Sequence, residues 1–337
     1  MDITFLLPHL KPSGGVNASI TFADKLSKRG HRVIVAVESK SPTRYLRNLF
    51  NGHPLLPKNT KVKIARVKNF SDLSDADIFL ADSWKVARKL NVLDIKAKKF
   101  EYIQHDERMY HGDPKAVEEV FRMPLIKIVN ATWLKDLFKK EFNYDAEVLF
   151  NAVDCDLFHP RTEPRSDKDI RILVLHHDYE WKGTKEGVEI VQNLKKKYPQ
   201  IKLILFGTRE KKIDYSCDEY HYNMFGEKLA ELFRNVDIFL GPSWDEGLTF
   251  PPRWAMASGC ALVTYDNGSS RDYAFDGDTA LVAQRKNKEE LSHKLEQVVI
   301  DEALRRKISQ NGLNYVQSMP TWDELTDKLE NILKNKK

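Results

Sequence analysis

The sequence predicts an α/β protein made of two consecutive domains of similar size, each with a parallel sheet. Short apolar runs alternate with segments of helical spacing along most of the 337 residues, and this alternation is typical of βαβ units. Glycine-bearing or polar turns follow several of these runs, at the carboxyl ends of the predicted strands, where open α/β sheets bind ligands. A polar, proline-bearing stretch at 159–169 is the best candidate for a linker.

In the first half, apolar runs predict the strands of one sheet, at 3–7, 31–37, 77–81, 100–104 and 127–131. A Gly14-Gly15 turn precedes a helix predicted over 17–28, and Thr132 is expected to cap the helix 133–142. Because glycine has no Cβ, the backbone of the turn can come close to a phosphate or a sugar. The dinucleotide fingerprint G-x-G-x-x-G is absent, which argues against a nicotinamide-dependent oxidoreductase. His105, directly after 100–104, could orient a reacting sugar, although on this stretch alone a satisfied surface or core histidine is the favoured interpretation.

The most informative stretch is 237–278 in the second half. Its apolar run 238–240 predicts a buried strand, an acidic turn with Glu246 and Gly247 follows, and Pro251-Pro252 suit the first turn of a helix. A carboxylate such as Glu246 accepts hydrogen bonds from hydroxyls, and amides at a helix start attract phosphate. An ordinary crossover loop, with an acid near a helix start, is the alternative for this stretch alone.

Further segments complete the second domain. Strands are predicted at 170–175, 201–206 and 261–264, one helix from 288 to about 315, and a last amphipathic helix at 322–333. Lys182-Gly183 precedes the helix 186–197 and could hold a diphosphate by charge and backbone amides, or be a surface lysine. His176 and His177 are adjacent, but no third ligand has suitable spacing, so no metal site is predicted.

Composition limits the class of protein. Hydrophobic residues make up 42% and charged residues 31%, which predicts a globular chain, and no apolar run approaches the ~20 residues of a membrane span. Three widely spaced cysteines and the absence of a signal-peptide pattern predict a cytoplasmic protein. The surplus positive charge lies in residues 1–160. Solvated faces explain each lysine cluster taken singly, but their concentration in one half is compatible with an anionic acceptor or an acidic membrane surface. The clusters are Lys58-Lys61-Lys63, Lys96-Lys98-Lys99 and Lys139-Lys140. This charge is too mild to predict nucleic-acid binding.

These features together resemble the retaining glycosyltransferases of family 4, the glycosyl transferases group 1. The matching segments are Gly14-Gly15, GHRV at 30–33, FNAVDCDLFHP at 150–160, Lys182-Gly183, Pro242-Ser243 with Glu246-Gly247, AMASGC at 255–260 and DNGSSRDY at 266–273. The resemblance covers nearly the whole chain and implies the GT-B fold, an α/β architecture of two facing Rossmann-like domains. It implies an acceptor domain at 1–157, a nucleotide-sugar donor domain at 158–319, and a C-terminal helix at 320–337 that crosses back to pack on the first domain.

The resemblance also implies roles for individual residues. Glu246 would contact hydroxyls of the donor sugar, Lys182 would neutralise the diphosphate leaving group, and His105 matches the active-site histidine. The implied donor-binding residues are Gly14, Gly15, His177, Lys182, Glu246, Gly247, Leu248, Thr249, Phe250 and Trp254. Such enzymes transfer a sugar from a nucleotide diphosphate to a glycan or lipid-linked acceptor, with retained configuration and without a metal or other cofactor.

Two positions depart from the family pattern. The second glutamate of its E-x7-E motif is Trp254 here, and an indole cannot accept hydrogen bonds from ribose hydroxyls. The basic residue expected before Lys182 is replaced by His176 or His177, so the diphosphate would depend more on Lys182, with Arg253 or Arg271 nearby. An impaired or non-catalytic sugar-nucleotide or glycan-binding homologue is therefore the alternative, and Trp254→Glu is expected to tighten nucleotide binding.

A finer similarity concerns YIQHDE at 102–107. It resembles a subgroup, rhamnosyltransferases included, that builds surface polysaccharides at the cytoplasmic face of the membrane. Peripheral contact of the basic first half with an anionic inner membrane surface would suit that location. A nucleotide-sugar epimerase of the same fold is a further alternative.

Overall fold

The computed structural model describes residues 1–41, 43, 56–57, 59–163, 165–208 and 215–336. The chain divides into two compact units: unit 1 comprises Met1–Asn151 and Trp322–Lys337, and unit 2 comprises Ala152–Thr321. The sequence-based boundaries lie at 157 and 319, a few residues away from these divisions.

Unit 1 is built on a parallel sheet whose described strands lie in the order β3-β2-β1-β4-β5-β6-β7. Its strands are β1 (Asp2–Leu7), β2 (Arg32–Glu38), β3 (Lys63–Val67), β4 (Ile78–Ala81), β5 (Lys98–Ile103), β6 (Ile126–Val129) and β7 (Glu147–Val148). Its helices are α1 (Gly14–Lys28), α2 (Trp84–Asn91), α3 (Pro114–Phe121), α4 (Thr132–Phe142) and, from the end of the chain, α10 (Trp322–Asn335). Phe5, Val35, Leu80, Phe100 and Ile128 are fully buried in these strands, as expected where a parallel sheet is covered on both faces.

The glycine pair near the N-terminus lies inside a helix rather than in a turn before it. Gly14 and Gly15 are the first residues of α1, and Ser13 caps the helix by accepting a hydrogen bond from the Val16 N–H at 3.4 Å. The prediction that this helix starts at 17 is wrong, because the serine cap lies one turn earlier. Gly15 packs against the side chain of Gln104, whose Nε2 would lie 3.0 Å from an added Cβ.

The start of α4 also differs from the prediction. The helix begins at Thr132, and the capping position is the extended residue Ala131, which has no side-chain oxygen to offer. Thr132 is therefore a first-turn residue and not the cap.

Helix α10 packs on α1 within unit 1. Phe22 and Trp322 meet edge to face at 5.0 Å between ring centroids, and ion pairs join Lys25 to Asp323 at 2.9 Å and Arg29 to Asp327 at 2.6 Å. The last turn of α10 is held by Lys98, whose Nζ donates to the carbonyls of residues 333 and 334.

Unit 2 contains a second parallel sheet, with its described strands in the order β10-β9-β8-β11-β12-β13. These strands are β8 (Ile170–Leu175), β9 (Ile201–Gly207), β10 (Glu219–Tyr222), β11 (Ile238–Gly241), β12 (Ala261–Tyr265) and β13 (Leu281–Ala283). The helices are α5 (Thr184–Lys197), α6 (Glu227–Arg234), α7 (Phe250–Ala257), α8 (Lys288–Ile300) and α9 (Glu302–Ser318). The single helix predicted from 288 to about 315 is two helices, because Asp301 caps α9 by accepting from the Leu304 N–H at 2.9 Å.

The strand order of unit 2 identifies where a ligand would bind. From β8 the chain runs outward through β9 and β10, and it then returns to the other side of β8 as β11. The order therefore reverses between β8 and β11, and open α/β sheets bind ligands at the carboxyl ends of the strands at such a reversal. In the described part of the chain, no helix is long and apolar enough to span a bilayer.

Candidate functional site

An ion pair spans the point in unit 2 where the strand order reverses. Lys182 ends a short 3-10 turn after β8, and Glu246 lies in the loop after β11. The Lys182 ammonium donates to the Glu246 carboxylate, with 2.6 Å between Nζ and Oε1. Glu246 is only 5% exposed and the Lys182 side chain 17%. The structure thus brings together the two residues of unit 2 to which the sequence assigns the chemistry.

A glycine allows the two loops to approach. Gly183 has a left-handed φ of 66°, and a Cβ at this position would lie 2.1 Å from the carbonyl oxygen of Pro242. The Trp244 N–H donates to the Trp181 carbonyl at 2.8 Å, which ties the loops together next to Lys182. Only glycine fits this close approach of backbones.

The loop after β12 holds Glu246 from the other side. The Glu246 N–H donates to the Asn267 carbonyl at 2.9 Å, and Glu246 forms an isolated parallel bridge with Gly268. The side-chain amide of Asn267 donates in turn to the Ser243 carbonyl at 3.3 Å. The backbone of Glu246 is therefore fixed by hydrogen bonds before any ligand arrives.

Helix α7 begins four residues after Glu246. Pro251 and Pro252 occupy its first turn, as predicted, and their nitrogens carry no hydrogen. The Thr249 N–H donates to the Ser269 hydroxyl at 3.1 Å, so this amide of the predicted ligand-binding set already has a partner. Gly247 and Leu248 are buried in the same loop. The carboxylate and the ammonium beside this helix therefore suit a ligand with both hydroxyl and phosphate groups.

The two arginines expected to help at the diphosphate have other roles. Arg253 is fully buried, and its guanidinium donates to the carbonyls of Thr249 at 3.1 Å and Leu248 at 3.4 Å. It therefore supports the loop from inside the unit. Arg271 is exposed and pairs with Asp266, with 2.8 Å from Nε to Oδ1.

Trp254 is packed between two rings. It stacks on Phe158 with 4.9 Å between centroids and 3° between planes, and on Phe250 with 5.3 Å and 21°. Phe233 meets it edge to face at 6.0 Å. Because three aromatic rings contact the Trp254 indole, we assign this side chain a packing role in the fold.

His177 belongs to the loop that carries Lys182. Its ring Nδ1 accepts a hydrogen bond from the Tyr179 N–H at 3.1 Å. The backbone N–H of His177 donates to the Thr184 hydroxyl at 2.9 Å. The ring lies 4.5 Å from that of Tyr179, which stacks on Trp181 at 4.2 Å. His177 thus orders the loop before Lys182.

The remaining predicted site residues, Gly14, Gly15 and His105, lie in unit 1. His105 follows β5, and its Nδ1–H donates to the Asp106 carbonyl at 2.9 Å. Its Nε2 is buried and has no hydrogen-bond partner among the described residues. In the neutral ring this nitrogen is therefore an acceptor.

Two carboxyl groups with raised pKa values, at Asp82 and Glu107, were not predicted as functional. Burial raises the pKa of Asp82 to about 8, although the hydrogen bond from the Gln104 amide opposes the shift. Burial likewise raises the pKa of Glu107 to about 8, against a hydrogen bond from the Trp84 N–H. Asp82 directly follows the strand predicted at 77–81, so the sequence indicates its place at the carboxyl end of that strand.

Arg285 and Lys286 were also missed. They follow β13, and both contact the segment before Glu246: Arg285 binds the Asp245 carboxylate, and Lys286 lies over the Trp244 ring. Their position directly after a short apolar run was the available signal. Among the residues that the structure describes, no group of three or more His, Cys, Asp or Glu side chains is arranged to hold a metal ion.

Comparison with known sequences shows that unit 2 is similar to a described protein family. Residues 158–315, which make up most of that unit, match the family described as glycosyl transferases group 1. This match lies entirely within unit 2.

Two curated relatives cover different shares of the chain. The O-antigen biosynthesis protein RfbC of Myxococcus xanthus is 24% identical over 81% of this chain and 22% of its own length. The N,N'-diacetylbacillosaminyl-diphospho-undecaprenol alpha-1,3-N-acetylgalactosaminyltransferase of Campylobacter jejuni is 30% identical over 53% of this chain and 42% of its own. The chain thus spans less than half the length of these relatives.

Solved structures show the fold over the whole chain. Sucrose-phosphate synthase from Thermosynechococcus elongatus aligns with a TM-score of 0.80 at 13% identity, over 98% of both chains. The Anabaena protein HepE in complex with UDP-glucose aligns with a TM-score of 0.78 at 14% identity, over 99% of both. The predicted α/β fold of two Rossmann-like parallel-sheet domains, GT-B, is confirmed.

Proposed function

We propose that this protein is a glycosyltransferase that moves a hexosyl or deoxyhexosyl group from a nucleotide-diphosphate donor to a glycan or lipid-linked acceptor. The observation that carries the proposal is the Lys182–Glu246 ion pair, which spans the strand reversal of a glycosyl transferases group 1 unit. Unit 2 would bind the donor, and unit 1, with His105, would serve the acceptor side.

The pair supplies the two interactions that sugar transfer from such a donor needs. The Lys182 ammonium would stabilise the negative charge that develops on the diphosphate leaving group, an electrostatic contribution that needs no metal ion. The Glu246 carboxylate would accept hydrogen bonds from hydroxyls of the sugar. When the diphosphate arrives, it competes with Glu246 for Lys182 and so releases the carboxylate toward the sugar. Retention of configuration is part of the proposal through the family resemblance.

Names of relatives support the acceptor and donor classes. The Campylobacter relative is named for a sugar linked through diphosphate to undecaprenol, and the Myxococcus relative for O-antigen biosynthesis. HepE binds UDP-glucose in its structure. We therefore propose surface-polysaccharide synthesis, with uridine nucleotides as the first donors to test.

We further propose a cytoplasmic location with peripheral contact to the inner face of an anionic membrane. Lys61, Lys63, Lys139 and Lys140 of unit 1 are exposed, and each could attract anionic lipid. Lys98 and Lys99 do not contribute, because their ammonium groups bind backbone carbonyls within unit 1, and Lys58 lies outside the described residues. Co-sedimentation with phosphatidylglycerol vesicles, but not with phosphatidylcholine vesicles, would support this location; equal behaviour with both would contradict it.

The second candidate is an impaired or non-catalytic homologue that binds a sugar nucleotide or a glycan. Trp254 favours it, because an indole packed between Phe158 and Phe250 supplies no acceptor for ribose hydroxyls. Transfer or donor hydrolysis by the purified protein would eliminate this candidate.

The deciding experiment measures sugar transfer and donor hydrolysis with UDP-glucose, UDP-N-acetylglucosamine and undecaprenyl-diphosphate-linked acceptors, with EDTA present. We expect turnover in the wild type, and an anomeric configuration in the product that matches the donor. Lys182→Ala and Glu246→Ala should lower turnover roughly 100-fold or more with the fold intact. Wild-type rates in both variants would refute the site, and a strict requirement for added metal would refute the metal-independent mechanism.

A further inference from the structure

A side-chain clamp holds the two residues that precede Glu246. The Arg285 guanidinium contacts both oxygens of Asp245, with 2.8 Å from Nε to Oδ1 and 2.6 Å from Nη2 to Oδ2. The same Nε lies 3.1 Å from the Trp244 carbonyl oxygen. One planar group therefore fixes a backbone carbonyl and the neighbouring carboxylate together, a geometry that an ammonium cannot reproduce.

Lys286 completes this clamp from the next position. Its Nζ lies 4.0 Å from the centroid of the Trp244 ring, within the range of a cation–π interaction. Its backbone has a φ of 63°, a left-handed conformation that lysine rarely adopts. Such a backbone persists only where its surroundings enforce it, and these outliers concentrate at functional sites.

The clamp acts on a segment that is already held on two other sides. The Trp244 N–H binds the loop after β8, and the Glu246 N–H binds the loop after β12. Arg285 and Lys286 bind the segment from a third side. They belong to the loop after β13, which is the strand at one edge of the described sheet. These three loops hold the segment that carries Glu246, and the Glu246 carboxylate faces Lys182.

We infer that Arg285 and Lys286 are positioning residues that set the Glu246 carboxylate for the donor sugar by clamping Trp244 and Asp245. This inference rests on the proposed function for the identity of the ligand, but the clamp itself can be tested without it. Loss of the Arg285 fork would release the Asp245 carboxylate and the Trp244 carbonyl at once. Glu246, the next residue, would then lose its fixed direction while Lys182 stayed in place.

The first test compares Arg285→Ala with Arg285→Lys and with the control Arg306→Ala, which removes an arginine whose side chain is 80% exposed and pairs within α9. Hydrogen–deuterium exchange should become faster in peptides covering 242–250 of Arg285→Ala, less so in Arg285→Lys, and not in Arg306→Ala. Unchanged exchange at 242–250 in Arg285→Ala, or faster exchange throughout unit 2, would overturn the inference.

Ligand affinity separates positioning from a general loss of structure. Affinity for UDP-glucose should fall about tenfold in Arg285→Ala, while affinity for UDP, which depends on Lys182, changes much less. Equal losses for both ligands would contradict positioning through Glu246. If the wild type binds neither ligand, the donor proposal fails, and the exchange experiment still decides whether the clamp exists.

Lys286→Gly distinguishes the clamp from simple strain. Glycine accepts the left-handed backbone but lacks the cation over Trp244. We expect thermal stability equal to or above that of the wild type, together with faster exchange at 242–250. Wild-type exchange in this variant would show that Lys286 has no positioning role.

Discussion

At the scale of single residues, the Glu246 carboxylate and the diphosphate of the proposed ligand compete for the Lys182 ammonium. Their charged groups form an ion pair, with 2.6 Å between Nζ and Oε1 and little access of solvent to either side chain. A diphosphate that binds Lys182 must therefore displace a carboxylate, which lowers its affinity. The sugar offsets that cost when its hydroxyls bind the released carboxylate.

Glu246→Gln should separate these two effects. The neutral amide leaves Lys182 available, so we expect UDP to bind about fivefold more tightly, a gain of roughly 1 kcal/mol, while transfer falls about 100-fold. Calorimetric titration and an activity assay measure the two effects. Glu189→Gln, which removes an exposed carboxylate paired with Lys288, should change neither. Weaker UDP binding in Glu246→Gln would contradict the competition.

Trp254 gives a prediction that differs from the expectation drawn from the sequence. Replacing the ring stacked on Phe158 and Phe250 by a carboxylate removes both contacts and places a charge among aromatic rings. We expect Trp254→Glu to lower the free energy of unfolding by about 2–4 kcal/mol and to weaken nucleotide binding. Trp254→Phe should retain most of the wild-type stability and most of its nucleotide affinity. Tighter nucleotide binding with unchanged stability would instead support the missing-acceptor interpretation.

At the scale of elements, the loop after β8 depends on one glycine. Ala at position 183 would put a methyl group 2.1 Å from the Pro242 carbonyl oxygen, so the two loops would have to separate. We expect Gly183→Ala to cost about 2–4 kcal/mol of unfolding free energy and to abolish UDP binding. Gly277→Ala is the matched control, because Gly277 also has a positive φ, 75°, but no atom lies within 4 Å of an added Cβ. An equal cost in both variants would mean that backbone strain, and not the loop contact, decides the effect.

The sequence predicts the central strands of both sheets well and misses the edges. β4 and β11 are buried at every position, and β1 and β8 are mainly apolar, because these strands lie inside the sheets and are covered on both faces. The unpredicted strands β3, β7, β10 and β13 all lie at or next to the ends of the described strand orders. Edge strands are short and partly polar, so their sequences carry little strand signal.

The candidate site shows the same division between local and distant signals. Glu246 and Lys182 stand in local motifs, so the sequence identifies them, although their contact spans 64 residues and needs the fold. Arg253 has no local signal for burial, and a charged residue is ordinarily assumed to be exposed. Arg285 reaches Asp245 across 40 residues, which no spacing rule predicts.

The carboxyl edge of the unit 1 sheet should make stability depend on pH. The pKa values of Asp82 and Glu107 are raised to about 8 by burial, so between about pH 4 and pH 8 the folded protein holds protons that the unfolded chain has lost. Their contribution to stability is present at low pH and is lost as pH rises through this window, by up to about 1.4 kcal/mol per pH unit for each group. Asp82→Asn should flatten this dependence in urea unfolding at pH 5 and pH 8. The exposed Asp136→Asn should not, and a wild-type slope in Asp82→Asn would contradict the assignment.

At the scale of the whole molecule, family and fold rest on different parts of the chain. The family match covers unit 2, while the structural similarity extends over 98–99% of the chain. The sequence-based site follows this division, with Lys182 and Glu246 in unit 2 and His105 in unit 1. The proposed enzyme therefore combines a unit 2 that matches the family with a unit 1 whose fold is shared with the solved structures.

The most direct test of the central claim is calorimetric titration of the wild type and Lys182→Ala with UDP, GDP, dTDP and ADP, in EDTA. We expect one of these nucleotides to bind the wild type, and its affinity to fall at least about tenfold in Lys182→Ala, a loss of about 1.4 kcal/mol or more. Binding that Lys182→Ala leaves unchanged, or no binding of any of the four, would contradict a donor site at Lys182 and Glu246.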